Sequence, residues 1–224
     1  MWTTALLLAG VLTGLASTPV LRALSAPADT SADTTDTTAA GVPAYAALAG
    51  HRFSLAVAGC SLAALAAIWL RLEAVQAIVW LPLATVGVLL VAIDARTTWL
   101  PLALTQVLWL TTLSSAVVQV GLTPASERGA LAGRLLLGAL VVGGFFFAFW
   151  WLAGGLGFGD VRLAPVLGAV TASVSWQLLV AALLLGTILG AAHGIVCRLC
   201  HRDGGFPYGP ALVAGAFLGL VLAG

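Results

Sequence analysis

The chain has 224 residues, of which only 8% are charged, and its nine basic residues are all arginine. Soluble domains carry charges at about a quarter of their positions, so this composition excludes an ordinary water-soluble protein. Hydrophobic residues make up 61% of the chain and its mean hydropathy is +1.11, which predicts a polytopic membrane protein. A net charge of +1 without a basic cluster argues against nucleic-acid binding, and three cysteines do not make a disulfide framework.

The first 21 residues contain no charge, and Arg22 follows this apolar run instead of preceding it. A cleaved signal peptide begins with a basic segment, so we expect residues 1–24 to form a retained transmembrane helix. Residues 25–52 are rich in Ser, Thr, Asp, Ala and Pro, with acids at Asp29, Asp33 and Asp36. This composition predicts a flexible acidic loop, which we expect on the cytoplasmic side.

Residues 53–224 are predicted to form a membrane-embedded domain. Long apolar runs occupy 53–70, 75–93, 97–126 and 129–159, and a shorter one occupies 210–223. Residues 163–197 carry no formal charge, which is longer than one helix needs to cross a hydrocarbon core of about 30 Å. We expect this run to break within the polar patch 171–177. The sequence therefore predicts an all-α polytopic integral membrane protein of about eight transmembrane helices.

The arginines predict the orientation of the chain, because positive residues are retained on the cytoplasmic side. With the N-terminus outside, three arginines face outward, Arg71, Arg128 and Arg134. The other six then face the cytoplasm: Arg22, Arg52, Arg96, Arg162, Arg198 and Arg202.

Two acids, Asp94 and Asp160, lie directly against apolar runs without an acidic neighbour. Ionisable groups at such depth are costly, so they indicate function. The 65 residues between them are enough for two crossings, at about 101–122 and 130–153. Both carboxylates are therefore expected on the same side of the membrane and at a similar depth.

Two carboxylates at close range in a low dielectric share a proton, so one can activate water while the other protonates a carbonyl oxygen. The alternative is that both acids are ordinary helix-end residues, with Asp94 reaching toward Arg96 and Asp160 capping a helix that begins at Val161. The glycines before Asp160, at 154, 155, 157 and 159, favour the first interpretation. Glycine permits close backbone approach and positive φ, although tight helix packing also uses it.

Three motifs resemble those of the type IV prepilin peptidase family of intramembrane aspartyl proteases. The sequence Gly157-Phe-Gly159-Asp160 resembles the family's GxGD motif. The segment from Asp94 through Pro101 to Thr105 resembles its first-aspartate segment, and Pro207-Tyr208-Gly209-Pro210, preceded by Phe206, resembles the element before its last helix. The motifs occur in the family order and cover the chain from about Leu81 to its end.

The resemblance implies a prepilin leader peptidase, an aspartic endopeptidase of the bacterial inner membrane with its active site facing the cytoplasm. Its substrate would be a pilin or pseudopilin precursor with a short basic leader, and no cofactor or metal is expected. Asp94 and Asp160 would be the catalytic pair. The motif residues that would support them are Gly157, Gly159, Arg162, Pro101, Thr105, Pro207, Gly209 and Pro210.

Two features depart from the family pattern. Members usually carry Lys where this chain has Arg162, which keeps the charge but changes the geometry of the donors. Many members also have a cytoplasmic domain with two Cys-x-x-Cys pairs, linked to N-methylation of the processed pilin. Residues 25–52 contain no cysteine, so methyltransferase activity is not expected.

The sequence Cys197-Arg-Leu-Cys200-His201 matches the pattern for c-type haem attachment. Such attachment takes place outside the cytoplasm, whereas this segment is predicted on the cytoplasmic side. A zinc site would need a further ligand from His51 or Cys60. A haem-bearing electron-transfer subunit is therefore a weaker hypothesis, as is a transporter subunit in which the two acids carry a proton or cation.

Overall fold

The computed structural model describes residues 2–24, 45–153, 157–200 and 207–223. These residues form helices and short turns without a strand, which confirms the all-α class. The helices are α1 (Trp2–Ala23), α2 (His51–Arg71), α3 (Ala74–Ala77), α4 (Val88–Thr97), α5 (Leu102–Leu122), α6 (Ala125–Ala153), α7 (Phe158–Val174), α8 (Trp176–Leu199) and α9 (Gly209–Ala223). Most of the predicted acidic loop lies outside the described residues; its end forms a 3₁₀ turn at Tyr45–Leu48, and α2 already begins at His51.

Four described helices are long and apolar enough to cross a membrane: His51–Arg71, Leu102–Leu122, Ala125–Leu152 and Trp176–Leu199. The pair Ala74–Trp80 and Leu83–Thr97 adds a fifth span if the two are taken together. Leu8–Ala23 and Gly209–Leu222 are apolar but shorter. The described residues thus support a multi-pass membrane protein, and the predicted number of about eight spans is not confirmed.

The fifth candidate span is bent by 40° near Pro82. Proline lacks the N–H that continues a helical hydrogen-bond ladder, and a 3₁₀ turn at Ile78–Trp80 precedes it while a π turn at Leu83–Gly87 follows. Helix α4 continues from this π turn into the centre of the molecule, where Leu90 and Ile93 have no exposed surface. Its last turn carries Asp94.

Glycines bring neighbouring helices into backbone contact on both sides of this centre. A Cβ atom on Gly138 of α6 would overlap the carbonyl oxygen of Gly168 in α7, and one on Gly215 of α9 would overlap the backbone of Gly186 in α8. Small residues allow membrane helices to pack by close van der Waals contact. The long helices α6 and α8 therefore hold the shorter helices α7 and α9 in place.

The long uncharged run breaks inside the predicted patch. Helix α7 ends at Val174 and α8 begins at Trp176, and the Ser175 hydroxyl between them accepts a hydrogen bond of 3.0 Å from the Leu178 N–H. Serine at this position satisfies one of the free N–H groups at the start of a helix. The predicted break is confirmed.

The apolar run 97–126 contains a helix that starts after the run does, close to the predicted crossing at about 101–122. The apolar run that begins at position 97 does not start as a helix, because Thr98 has a left-handed backbone with φ 57° that ends α4. Helix α5 begins only after Pro101, at Leu102.

Candidate active site

Asp94 and Asp160 converge on one point at the start of α9. An ideal Cβ atom built on Gly209 would lie 2.9 Å from Asp94 Oδ2 and 3.6 Å from Asp160 Oδ1. Asp94 comes from the last turn of α4, Asp160 from the first turn of α7, and Gly209 is the first residue of α9. Between the two acids the chain passes through α5 and α6, as the spacing of the sequence predicts, so the two carboxylates reach the same site.

Both carboxylates are buried and incompletely hydrogen bonded. Asp94 is 2% exposed and Asp160 is 6% exposed, and neither Asp94 Oδ2 nor Asp160 Oδ1 has a hydrogen-bond partner among the described residues. Buried polar atoms are normally paired, because an unpaired one loses the hydrogen bonds it made to water. Two such oxygens at one point mark a place where water or a ligand can bind.

The alternative roles that the sequence left open for these acids do not fit the structure. Helix α7 begins at Phe158, not at Val161, and its cap residue is Gly157, so Asp160 does not cap the helix. Asp94 makes no ion pair with Arg96. Each acid therefore sits inside the fold with one oxygen, Asp94 Oδ2 or Asp160 Oδ1, that is available to a third group.

A cavity of about 780 Å³ opens over the two carboxylates. Four of the predicted supporting residues, Gly157, Gly159, Arg162 and Pro207, line it together with both acids. Gly209 contacts both acids from α9. The cavity is large enough to receive several residues of an extended peptide, since ligand pockets commonly measure 300–1,000 Å³.

The other three predicted residues lie outside the cavity. Pro101 is buried before α5, and its carbonyl oxygen accepts hydrogen bonds from the Thr105 N–H and hydroxyl, each at 3.0 Å. Thr105 lines a separate groove on α5, and Pro210 lies in the first turn of α9. Pro101 and Thr105 thus fix the start of α5.

The glycines before Asp160 were expected to allow close backbone approach and positive φ. Among the described glycines of the motif, only the close approach is seen. A Cβ atom on Gly159 would lie 2.6 Å from Leu100 Cδ1, so glycine is needed there for close approach. Gly157 has φ −66°, an extended backbone that any residue adopts. Gly154 and Gly155 lie outside the described residues.

The cavity has an aromatic wall that was not predicted from the sequence. Phe145, Phe146 and Phe149 of α6 line the cavity together with Trp99 and Phe158. The run of aromatic residues in α6 was visible in the sequence, but lipid-facing helices carry the same residues. Thr98, Leu100, Thr187 and Tyr208 also line the cavity, and Thr187 carried no sequence signal.

Cys197 and Cys200 lie at the end of α8, away from the cavity, and His201 lies outside the described residues. Within the described ranges no three His, Cys, Asp or Glu side chains are grouped so that they could hold a metal ion.

Comparison with known proteins gives a consistent result. A sequence profile described as the type IV leader peptidase family matches residues 81–195. A prepilin leader peptidase/N-methyltransferase from Pseudomonas putida is 30% identical over 176 residues, which are 76% of this chain and 58% of that protein. Proteins of the same name from Aeromonas salmonicida and Burkholderia pseudomallei are 37% and 35% identical, over 42% and 55% of this chain and 31% and 40% of their own lengths.

The chain therefore spans less than two thirds of each of these relatives. No solved structure gives a significant match to it. The profile covers half of the chain and includes both Asp94 and Asp160. On this basis the chain belongs to the type IV leader peptidase family.

Proposed function

We propose that this protein is a prepilin leader peptidase in which Asp94 and Asp160 are the catalytic pair. The observation that carries the proposal is the convergence of two buried carboxylate oxygens within 4 Å of the Gly209 Cβ position, inside a cavity. The family membership supports a peptidase, and the names of its relatives support a prepilin substrate.

The chemistry follows from the protonation of the pair. Two neighbouring carboxylates share one proton, because two negative charges at close range repel each other strongly in a low dielectric. The ionised carboxylate takes a proton from a water molecule, whose oxygen attacks the scissile carbonyl carbon. The protonated carboxyl gives its proton to the carbonyl oxygen, and collapse of the tetrahedral intermediate releases the amine of the mature protein with a proton from the pair.

The substrate would be a pilin or pseudopilin precursor, and the site would face the cytoplasm of the inner membrane. The arginine distribution supports this orientation. The proposal covers the peptidase part of the relatives' name only; the absence of methyltransferase activity stays a prediction from the cysteine-free segment 25–52. The transporter hypothesis has no support from the relatives, which are all named as peptidases.

The test is processing of a co-expressed pilin precursor, followed by a gel shift. We expect Asp94→Asn and Asp160→Asn each to abolish cleavage, because an amide can neither share the proton nor accept one from water. The double variant should be no worse than either single variant, since residues that act in one step are non-additive. Glu127→Gln, which changes an exposed carboxylate at the start of α6, should cleave normally. Normal cleavage by either single variant at equal expression would contradict the aspartyl mechanism.

A further inference from the structure

A second concave surface lies outside the cavity, on the other side of Arg162. This groove has a volume of about 480 Å³ and is lined by Leu102, Thr105, Gln106, Trp109, Leu110 and Arg162. Its lining residues belong to the first half of α5 and to the start of α7. Arg162 lines both the groove and the cavity, so it lies between them.

The charge of Arg162 is not neutralised inside the protein. Its guanidinium carbon lies 4.7 Å from the centre of the Phe158 ring, and no carboxylate of a described residue is within ion-pair distance of it. Its backbone carbonyl accepts a hydrogen bond of 2.9 Å from Trp109 Nε1, which fixes the floor of the groove. Arginine in a membrane protein is normally paired with an acid or placed at the level of the lipid headgroups. We therefore expect an arginine without a partner to bind an anion.

The rest of the groove is suited to an acyl chain. Leu102, Trp109 and Leu110 are 50%, 47% and 64% exposed, and they run along α5, a helix that is apolar enough to span the bilayer. Gln106, between them, is exposed and makes no hydrogen bond to a described residue. The groove thus combines one cation, one amide without a hydrogen-bond partner among the described residues, and an apolar surface along α5.

We propose that this groove binds an anionic phospholipid. The phosphate binds Arg162 and the Gln106 amide, and one acyl chain lies along Leu102, Trp109 and Leu110. Arginine matches phosphate geometry with two parallel N–H donors, and the groove holds no carboxylate that could receive the choline group of a zwitterionic lipid. The proposal does not depend on peptidase activity, and phosphate diesters line both faces of a bilayer, so it does not depend on orientation.

Trp109 provides a direct measurement, because brominated acyl chains quench tryptophan fluorescence on contact. The full chain is reconstituted in phosphatidylcholine vesicles that contain increasing fractions of brominated phosphatidylglycerol or brominated phosphatidylcholine. The Trp109 signal is the difference between the wild-type protein and Trp109→Phe, which retains the other tryptophans. We expect half-quenching at a mole fraction of brominated phosphatidylglycerol roughly fivefold lower than that of brominated phosphatidylcholine.

Variants of Arg162 and Gln106 test whether the preference for phosphatidylglycerol depends on the charge of Arg162. Arg162→Gln should remove the preference and Arg162→Lys should keep part of it, whereas Arg198→Gln, which removes the same charge from the end of α8, should leave it unchanged. Gln106→Leu should weaken it without changing the fold, since this side chain is exposed. Equal quenching of the wild-type protein by the two lipids, or a preference that survives Arg162→Gln, would overturn the proposal. So would displacement of the lipid by millimolar inorganic phosphate, which would identify a soluble anion as the ligand.

Discussion

At Gly209 a single methyl group would reach the carboxylates of the proposed site directly. The Gly209 Cα lies beside both carboxylates, and a methyl group would come within 2.9 Å of Asp94 Oδ2, closer than ordinary carbon–oxygen contact. Its φ is not in the left-handed region, so alanine can adopt the same backbone. Replacing Gly209 by alanine therefore tests the effect of an added methyl group at the site without straining the backbone.

We expect Gly209→Ala to lower cleavage of a pilin precursor at least about 100-fold, because displacements of about 1 Å at a reacting centre have effects of this size. The protein should remain folded and inserted. Gly59→Ala, at a position with no neighbour within 4 Å, is the matched control and should cleave normally. Cleavage by Gly209→Ala at the control rate would show that the substrate is not held at this point.

The convergence of Asp94 and Asp160 could be predicted from the sequence, because charged residues are rare in this chain and the two crossings between them put both on the same side of the membrane. Trp99 and Phe145 could not. Their side chains are apolar and could equally face lipid, and only the three-dimensional arrangement of α4, α6 and α7 places them over the carboxylates. Polar residues in an apolar chain therefore indicate the site, while a single apolar residue does not show whether it lines a cavity or faces lipid.

Among the elements, the contact between α6 and α7 determines where Asp160 lies. Gly138 and Gly168 meet through their backbones. A Cβ atom built on Gly143 would lie only 2.7 Å from Pro165 Cγ, so these two residues are also closely packed. Any side chain at the closest point must separate the two helices. A shift of α7 would also move its first turn, which carries Asp160.

We expect Gly138→Ala to destabilise the protein by about 1–3 kcal/mol, the usual range for overpacking, and to lower its unfolding temperature in detergent. Gly133→Ala, on the same helix but with no neighbour within 4 Å, should be neutral or slightly stabilising, because alanine favours a helix by up to about 1 kcal/mol over glycine. Equal unfolding temperatures for the two variants would contradict the observed packing.

The crossings between the two acids were predicted at 101–122 and 130–153, close to the observed Leu102–Leu122 and Ala125–Ala153. Uninterrupted apolar runs explain this agreement. The bend at Pro82 and the left-handed Thr98 were not predicted. Both depend on how a local interruption is accommodated by neighbouring helices, which a hydropathy pattern does not record.

For the molecule as a whole, orientation in the membrane is a prediction that labelling can check. The three native cysteines are replaced by serine, and single cysteines are introduced as Ala95→Cys and Ser126→Cys, both at exposed positions. A reagent that does not cross the membrane should label position 126 in intact spheroplasts and position 95 only after permeabilisation. The reverse pattern would contradict the cytoplasmic site, and labelling of both from one side would contradict the crossing by α5.

The site draws on α4, α7 and α9, three helices that leave the ribosome one after another with long spans between them. During biosynthesis the first aspartate enters the bilayer well before the second, and the Gly209 contact forms only when α9 arrives. A partly inserted chain accordingly holds a lone carboxylate and no assembled pair. In the proposed mechanism, cleavage would therefore require α9 to have inserted, because only then does Gly209 meet both carboxylates.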